Sequence, residues 1–415
     1  MRNAKVSIFG NFGTVNVGNE CTLQAVIYNV HKFVAGGEIN CICSNPRDVM
    51  VRHNIPAVHM ARPIHEVHQC PATRKSGTLL SRVLRILLMR LPGELGEWIR
   101  ALRVLNGRTM LLVTGTGVLT DRGEGLFGLP YQIFKWVVSA KLCKLRVLFL
   151  SVGVEPISRR STKWFIEASL ALADHISYRD DHSKQYLATM GINQTSSIYP
   201  DMAFSLPESA LPACSRAAST TPVIGVGVFD YCRTDLERNG TAQSRYKEYI
   251  QKVSTFIVWL LDNGYQVRIL IGDVTYDNAV RNDLRTVLEN VGITYAGRTI
   301  LDEPISSVSD LLQQIATTDM VVATRFHNVL LALMLNKPVI SISYDRKNDS
   351  LMEAVGLSNY CQNIEKLDVS RLITQFTKLR ENGDRLKTQI KERVHEHRVA
   401  SLKQYSVIFA NGGIT

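Results

Sequence analysis

The residues best suited to chemistry lie near the C-terminal end, where two cationic side chains and one imidazole occupy related positions. Arg325 and His327 follow the apolar run 320–323, and Lys347 follows the next apolar run, 339–342. The apolar segment between the two runs is too long for a strand, which is typical of a βαβ unit. Residues just past parallel strands line the ligand crevice of an open sheet, beside helix N-termini that favour anions. We therefore predict that these three side chains surround an anionic ligand.

The composition is that of a large globular enzyme. The chain has 415 residues, 45% hydrophobic and 20% charged, which fits two domains of about 200 residues each and excludes disordered and fibrous proteins. The sequence shows neither a run of eighteen apolar residues nor a secretory signal, so we expect a cytoplasmic protein. Eight cysteines without a CxxC pair predict buried free thiols and no metal site.

The net charge of +11 predicts an anionic partner. Nucleic acid is not expected, because no nucleic-acid motif or aromatic-interleaved basic patch occurs. Basic residues concentrate between Arg74 and Arg108, where leucines and arginines alternate at helical spacing over 79–91. Such a helix can make a peripheral contact with an anionic membrane surface, or it can pack its leucines on the core and leave its arginines in water. The sequence leaves both interpretations open.

Short apolar runs alternate with helical patterns along both halves of the chain. This alternation predicts two doubly wound, Rossmann-like α/β domains with parallel sheets, facing a central cleft. We predict an N-terminal domain over 1–206, a Ser-, Ala- and Pro-rich linker over 207–222, a C-terminal domain over 223–368 and a helical segment over 369–415.

Polar residues also follow predicted strands of the first half. Asn16, Asn19 and Glu20 open the first long helix, and Asp121 ends a glycine loop that begins at Thr114. Neither loop has the spacing of a P-loop or a dinucleotide fingerprint. Asp121 could deprotonate a sugar hydroxyl or cap a turn, and Asn19 could be a helix N-cap. Arg179, after another strand, could enter the cleft or pair with a neighbouring aspartate.

Several of these motifs together resemble those of the polysaccharide pyruvyl transferases. The matching motifs over residues 8–357 are Asn16-Val-Gly-Asn-Glu20, Gly115-Thr-Gly-Val-Leu-Thr-Asp121, Tyr178-Arg-Asp180, Asp201-Met-Ala-Phe204, Arg325-Phe-His327, Ala332-Leu333, Lys337-Pro-Val339, Tyr344-Asp345 and Lys347. The series from Arg325 to Lys347 is the most specific of them. Two positions depart from the family pattern: Asn19 stands where the family has Asp, and Thr116 interrupts a glycine triplet.

The resemblance implies a GT-B-like fold and transfer of a pyruvyl group from phosphoenolpyruvate to sugar hydroxyls as a ketal, in cell-surface polysaccharide biosynthesis. Phosphoenolpyruvate would be a co-substrate, and no cofactor or metal is expected. The resemblance implies functional roles for Arg179, Arg325, His327 and Lys347, and we predict that these four residues and Asn328 bind the donor. The implied residues for the acceptor, a sugar or lipid-linked oligosaccharide, are Asn16, Asn19, Glu20, Thr116, Gly117 and Asp121.

Ketal formation requires a proton for the methylene carbon of the donor and removal of protons from two hydroxyls. We predict His327, Arg325 and Asp121 as catalytic residues. An imidazole with an ordinary pKa of about 6.5 can act as acid or base near neutrality, and Asp121 or Glu20 would assist as base. His327 could instead cap its helix or orient the donor.

Two other functions stay open at this point. A glycosyltransferase of the same architecture would take a nucleotide sugar and hold its ribose with an acidic residue, for which Glu353 is the candidate. A non-catalytic relative would bind carbohydrate or anions, an interpretation that the departures at Asn19 and Thr116 favour.

Overall fold

The computed structural model describes residues 3–61, 93–115, 117–121, 125–212, 221–231, 240–293, 295 and 299–410. By their contacts the residues form two compact units. Unit 1 consists of Met1–Gly13, Val34–Tyr178 and Leu187–Ser197, and unit 2 of Thr14–Phe33, Arg179–Tyr186 and Ile198–Thr415.

Strands and helices alternate along the chain as the sequence predicts. The strands are β1 Lys5–Phe9, β2 Glu38–Cys43, β3 Ala57–His59, β4 Met110–Thr114, β5 Arg146–Val152, β6 His175–Tyr178, β7 Ser197–Ile198, β8 Val223–Gly227, β9 Gln266–Leu270, β10 Ile300–Leu301, β11 Met320–Ala323, β12 Val339–Ser343 and β13 Cys361–Asn363. The helices are α1 Val17–Phe33, α2 Pro46–His53, α3 93–105, α4 Leu129–Leu142, α5 Arg160–Ala171, α6 Asp181–Thr189, α7 Gly240–Asp262, α8 Val274–Asn290, α9 Val308–Ala316, α10 Phe326–Met334, α11 Arg346–Ala354, α12 Val369–Glu381 and α13 Gly383–Ala410.

Each unit is built on a parallel sheet, which confirms the predicted fold class. The first sheet has seven strands in the order β3-β2-β1-β4-β5-β6-β7, and the second has six in the order β10-β9-β8-β11-β12-β13. Central strands β4, β8, β11 and β12 are buried along their whole length, as expected where helices cover both faces of a sheet. The strand order reverses between β8 and β11, and ligands of open parallel sheets bind beyond the carboxyl ends at such a point.

Helix α1 packs with unit 2, although the sequence places it inside the predicted N-terminal domain. Its apolar residues Val17, Cys21 and Ala25 are buried in the core that surrounds the second sheet. The Asn29 amide donates a hydrogen bond to the Ser205 carbonyl at 2.9 Å. Packing therefore does not follow the predicted boundary at residue 206, because the apolar face of α1 is buried against elements distant in sequence.

Several predictions fall partly or wholly outside the described residues. These are the amphipathic helix over 79–91 with most of the basic stretch, residues 213–220 of the linker, Thr116 and three cysteines, Cys70, Cys214 and Cys232. None of the five described cysteines is in a disulfide; Cys21, Cys41 and Cys43 are buried as predicted, whereas Cys143 and Cys361 are only half-buried. Within the described ranges no helix is both long and apolar enough to cross a membrane, and no three metal-ligating side chains cluster.

Candidate active site

The polar residues of unit 2 gather at the carboxyl ends of its central strands. Arg325 is the N-cap of α10, directly after β11, and His327 lies in the first turn of that helix. Lys347 lies in the first turn of α11, after β12. Asp277 lies in the first turn of α8, after β9. These strand ends flank the reversal point between β8 and β11, so the edge predicted to bind an anion is the edge that carries these side chains.

Arg325 forms a two-pronged ion pair with Asp277, a residue that the sequence interpretation missed. Its Nε donates to Oδ2 at 2.9 Å and its Nη2 to Oδ1 at 2.6 Å. The Asp277 carboxylate is fully buried and also accepts the backbone N–H groups of Gly272 and Asp273. The guanidinium lies 4.5 Å from the centre of the Phe229 ring. The guanidinium of Arg325, which was predicted to bind the donor, is therefore held by a protein carboxylate.

The charge of Arg325 is maintained in this buried setting by its partner. Burial by itself disfavours the charged guanidinium, but the adjacent Asp277 carboxylate outweighs burial and raises the pKa of Arg325 above its ordinary value. Arg325 therefore stays charged, and removing Asp277 would leave that charge buried without compensation.

Three buried polar atoms converge near the start of α10, on Arg179, Asp201 and His327. Arg179 Nη1 lies 3.9 Å from Asp201 Oδ2, and His327 Nε2 lies 4.0 Å from Asp201 Oδ1. The described residues offer no hydrogen-bond partner to Arg179 Nη1, Asp201 Oδ2 or His327 Nε2. Leaving such atoms unsatisfied costs about 1–3 kcal/mol each, so native proteins nearly always pair them with protein, water or ligand. The three atoms therefore form a candidate binding position for a polar ligand.

His327 is neutral in this environment, contrary to the prediction of an ordinary pKa. Burial is the main cause that lowers its pKa to about 4; Asp201 acts in the opposite direction, and Arg179, Lys347 and Arg325 lower it further. At neutral pH the ring can therefore accept a proton, but it carries only its one ring N–H. Without a bound anion it is poorly suited to donate a proton as an acid.

Gly18, in the first turn of α1, supports one side of the His327 ring. A Cβ atom at this position would lie 2.0 Å from His327 Nδ1, so a larger residue cannot occupy it without displacing the ring. The Phe326 ring stands perpendicular to the imidazole, with 5.1 Å between ring centres. The ring is thus positioned by helix α1 as well as by its own helix.

Arg179 is held on its other sides by Asp180 and Phe326. Its Nε donates to Asp180 Oδ2 at 3.2 Å, and its guanidinium carbon lies 4.9 Å from the centre of the Phe326 ring. The predicted pairing with a neighbouring aspartate is therefore present, but the side chain is only 5% exposed, so the pair is not a surface salt bridge. Nη1 is left directed at Asp201.

The two remaining donor-site predictions differ in their surroundings. Lys347 Nζ lies 4.9 Å from the centre of the Tyr344 ring, and its charge helps to lower the pKa of His327. Asn328 is fully buried, and neither atom of its amide has a hydrogen-bond partner among the described residues. A Cβ at Gly227 or Gly272 would lie 3.0 or 2.9 Å from that amide, so Asn328 lies beneath the loops that end β8 and β9.

The residues predicted to bind the acceptor divide between the two units. Asn16, Asn19 and Glu20 belong to unit 2. Asn16, not Asn19, caps α1, because its Oδ1 accepts the N–H groups of Gly18 and Asn19. Its Nδ2 donates to Asp273 Oδ2 at 3.0 Å. Asn19 is half-buried and Glu20 is buried.

Asp121 and Gly117 belong to unit 1, and the hydrogen bonds of Asp121 argue against its predicted role as a base. Its Oδ2 accepts the N–H groups of Ser158 and Arg159, each at 2.8 Å, and the Ser158 hydroxyl at 3.0 Å. Burial opposes the charged form, but these bonds outweigh it and lower the pKa of Asp121. The carboxylate fixes the loop before α5. Gly117 has a φ of +69° and faces Glu155.

Comparison with known proteins gives one family. A protein-family model described as polysaccharide pyruvyl transferase matches residues 92–346. The chain is also 21% identical to the amylovoran biosynthesis protein AmsJ of Erwinia amylovora, over 96% of this chain and 97% of that protein.

Similar solved structures share the fold at low sequence identity. A putative UDP-N-acetylglucosamine 2-epimerase from Listeria monocytogenes aligns over 98% of this chain and 96% of its own, with a TM-score of 0.60 and 13% identity. A glycosyltransferase from Rickettsia africae aligns over 99% and 100%, with a TM-score of 0.57 and 12% identity. These are GT-B-type proteins, so the GT-B-like fold class is confirmed.

Replacing Asp277 tests the importance of the buried ion pair. We expect Asp277→Ala to lower the free energy of unfolding by about 3–5 kcal/mol, because Arg325 would stay buried without its counter-charge. Glu289→Ala is the matched control: it removes a half-exposed partner of Arg285 on the same helix and should cost less than about 1 kcal/mol. Urea unfolding of both variants measures the difference; losses of equal size would contradict the assignment.

The pKa of His327 makes a separate prediction about stability and pH. The unfolded chain protonates this imidazole below about pH 6.5, whereas the folded protein does so only at about 4. The unfolded state therefore binds the proton first, and stability falls as the pH drops from about 6.5 to about 4. Between pH 7 and about pH 4.5 the protonation of His327 should lower the free energy of unfolding of wild type by about 2–3 kcal/mol. The His327→Gln variant should lack this part of the decrease.

Urea unfolding of wild type and His327→Gln at the two pH values gives the required difference. His175 and His397 also have lowered pKa values, but both are present in the two proteins, so their contributions cancel. An unchanged dependence on pH would show that His327 is not the buried neutral group described here.

Proposed function

This chain belongs to the polysaccharide pyruvyl transferase family, and from that membership we propose that it transfers a pyruvyl group from phosphoenolpyruvate to two hydroxyls of a sugar, forming a ketal. As a family member it is a transferase of polysaccharide biosynthesis, and its likeness to AmsJ supports a role in making an exopolysaccharide. The observation that carries the proposal is the convergence of unpartnered Arg179, Asp201 and His327 atoms at the start of α10.

The charges around this position suit the donor. Phosphoenolpyruvate combines a carboxylate and a phosphate, and guanidinium and ammonium groups form strong charge-assisted hydrogen bonds with both. Arg179 would bind through Nη1, and Lys347 would contribute a second positive charge close to His327. The first turn of α10 favours an anion at the same end. Arg325 was predicted to bind the donor directly and to take part in catalysis. Because Asp277 holds its guanidinium, we propose instead that Arg325 contributes positive charge and fixes the start of α10.

The reaction then requires that two hydroxyl oxygens bond to the same carbon, the first by addition and the second by displacement of phosphate. In the first, one sugar hydroxyl oxygen bonds to C2 of phosphoenolpyruvate, and the C2=C3 electron pair takes up a proton at C3, giving a methyl group. In the second, the other hydroxyl oxygen displaces phosphate from C2 and closes the ketal ring. The proton of this second hydroxyl leaves with the phosphate. Overall, one donor and one diol give one ketal and one inorganic phosphate.

His327 is the proposed proton carrier of the first addition. Because its ring is neutral before the donor binds, it can accept the proton of the first hydroxyl. The imidazolium formed then delivers that proton to C3, so the two transfers cancel. Asp201, 4.0 Å from Nε2, stabilises the imidazolium. The negative charge of the donor acts in the same direction, since it offsets the cations that lower the pKa of the free ring.

The acceptor is proposed to be a sugar within a free or lipid-linked oligosaccharide. Asn16, Asn19 and Glu20 remain candidates for binding it, because they open the helix whose Gly18 supports the catalytic ring. Gly117 remains a candidate in unit 1. Asp121 is not proposed as its base, since the lone pairs of one carboxylate oxygen are occupied by three donors.

Product analysis tests the proposed reaction against the nucleotide-sugar alternative. The protein is incubated with oligosaccharide acceptors and either phosphoenolpyruvate or nucleotide sugars, and inorganic phosphate, nucleoside diphosphate and the ketal methyl resonance are followed. We expect phosphate and ketal in equal amounts from phosphoenolpyruvate, and a loss of at least about 100-fold in His327→Gln, as for a lost acid–base group. Release of nucleoside diphosphate without ketal would overturn the proposal.

A binding measurement separates donor recognition from chemistry. Calorimetric titration with phosphoenolpyruvate needs no acceptor, and Arg179→Gln should weaken binding whereas Arg285→Gln, at an exposed position of unit 2, should not. Tight binding with no turnover on any acceptor would favour the non-catalytic alternative.

The contact between Gly18 and the catalytic ring provides a further test. Gly18→Ala should raise helix propensity in α1 by about 1 kcal/mol, yet the added methyl group would displace His327. We expect activity to fall by at least about tenfold, as when a reacting group is mispositioned, with little loss of secondary structure. Gly96→Ala, in a helix where a Cβ meets nothing within 4 Å, is the matched control. Wild-type activity in Gly18→Ala would contradict the role of the ring.

A further inference from the structure

A group of large apolar side chains, three of them exposed and three half-buried, lies at the surface of unit 1 on helices α3, α4 and α5. We call this group the aromatic patch; it consists of Leu95, Trp98, Ile99, Phe134, Trp164 and Phe165. Leu95 is 63% exposed, Trp164 is 55% exposed and Ile99 is 42% exposed. Exposed groups of large apolar residues on a soluble domain commonly mark an interaction surface.

The aromatic patch is continuous across the three helices. The Phe134 ring centre lies 6.4 Å from that of Trp98, 5.1 Å from that of Trp164 and 5.4 Å from that of Phe165. Trp164 and Phe165 are also in contact, at 5.2 Å. On α3, Leu95 is three and four residues before Trp98 and Ile99, so all three share one helix face. The rings support one another, which keeps the exposed ones in place.

The acidic side chains of α3 at the patch are bonded to neighbouring groups of unit 1. Glu94 accepts the Tyr131 hydroxyl at 2.9 Å and lies 3.9 Å from the buried ammonium group of Lys135. Glu97 forms an ion pair with Arg100. Both carboxylates are therefore neutralised locally and add little negative charge to the surface.

Basic side chains dominate the rim. Arg159 and Arg160, at the start of α5, and Arg103, on α3, are exposed, and Lys163 precedes Trp164. Glu167 is the single carboxylate within α5. An apolar surface with a basic rim is complementary to an anionic lipid surface, where aromatic rings occupy the headgroup level and cations meet phosphates.

We propose that the aromatic patch docks this protein on the surface of an anionic lipid bilayer. A second copy of the chain fits less well, because each copy carries a net charge of +11 and the two basic rims would repel each other. The inference stands on unit 1 alone and does not depend on the transfer reaction. Where the acceptor is lipid-linked, such docking would keep the enzyme in the plane that contains its substrate.

Vesicle sedimentation tests the proposal with the full chain and without donor or acceptor. The probes are vesicles of phosphatidylglycerol and phosphatidylcholine in equal parts, and vesicles of phosphatidylcholine alone. We expect binding to the anionic vesicles, weakened by salt, and much weaker binding to the neutral ones. The double variant Leu95→Ser/Trp164→Ser should bind anionic vesicles at least about tenfold more weakly, because two large apolar side chains no longer enter the interface.

The double variant Val291→Ser/Val399→Ser is the matched control. It removes two side chains of unit 2 with similar exposure, 55% and 51%, and should bind like wild type. Circular dichroism melting checks that both double variants are folded, and quenching of tryptophan fluorescence by brominated lipids, compared between wild type and Trp164→Phe, should report Trp164 in the interface.

Three results would overturn the proposal. The first is equal vesicle binding by wild type and the patch variant. The second is the absence of Trp164 quenching by brominated lipids in protein that is vesicle-bound. The third is self-association that requires the patch while vesicle binding is absent, which would assign the surface to a second copy. Since none of these measurements uses phosphoenolpyruvate, failure here leaves the proposed reaction unaffected, and failure of the reaction leaves this test unaffected.

Discussion

The buried ion pair between Asp277 and Arg325 determines the form of the carboxyl-end edge of the second sheet. It joins the segment after β9 to the segment after β11 through two parallel charge-assisted bonds. Removing both charges from water is costly, and the cost is offset because the carboxylate also accepts the backbone N–H groups of Asp230, Gly272 and Asp273 and the guanidinium lies against an aromatic ring. Arg325 is the N-cap of α10. Fixing it therefore fixes the start of the helix that carries His327.

The Asp277–Arg325 pair and the neighbouring group of Arg179, Asp201 and His327 differ in how many of their hydrogen bonds are made within the protein. This difference suggests a structural role for the pair and a binding role for the group of three. Asp277 has its hydrogen-bonding capacity largely used within the protein, and Arg325 has two of its three nitrogen atoms bound. Arg179, Asp201 and His327 are held by outer contacts, yet each directs an unpartnered buried atom at the others. A fold that satisfies one charged cluster and leaves the adjacent one unsatisfied has a position where a polar ligand gains hydrogen bonds without having to break existing ones.

The sequence predicted which of these residues follow strands, but not which residues they contact. Arg325, His327 and Lys347 follow strongly apolar runs, so the strand-end rule found them. Asp277 follows β9 by the same rule, but it lies inside a polar helix pattern, where a carboxylate is usually solvated. Asp201 was identified only as part of the motif Asp201-Met-Ala-Phe204, which does not indicate that it lies beside Arg179 and His327. The placement of α1 with unit 2 and the three donors to Asp121 depend on contacts between residues distant in sequence, which neither periodicity nor spacing encodes. Thus the sequence pattern predicted the secondary-structure elements and the sheet edge that carries the polar residues. The contacts of each side chain depend on long-range packing, which the pattern does not contain.

Burial of His327 then explains how one imidazole can serve a highly cationic site. A protonated ring beside Arg179 and Lys347 would be a third positive charge in a desolvated space, and the structure avoids it by lowering the pKa to about 4. The proposed trianionic donor would reverse the balance, because it would neutralise the neighbouring cations that disfavour protonation. In the proposed reaction the ring would accept a proton before the donor binds and would hold a proton more readily once the donor is bound. The cations proposed to bind the donor would therefore also control when the group proposed to act on it becomes protonated.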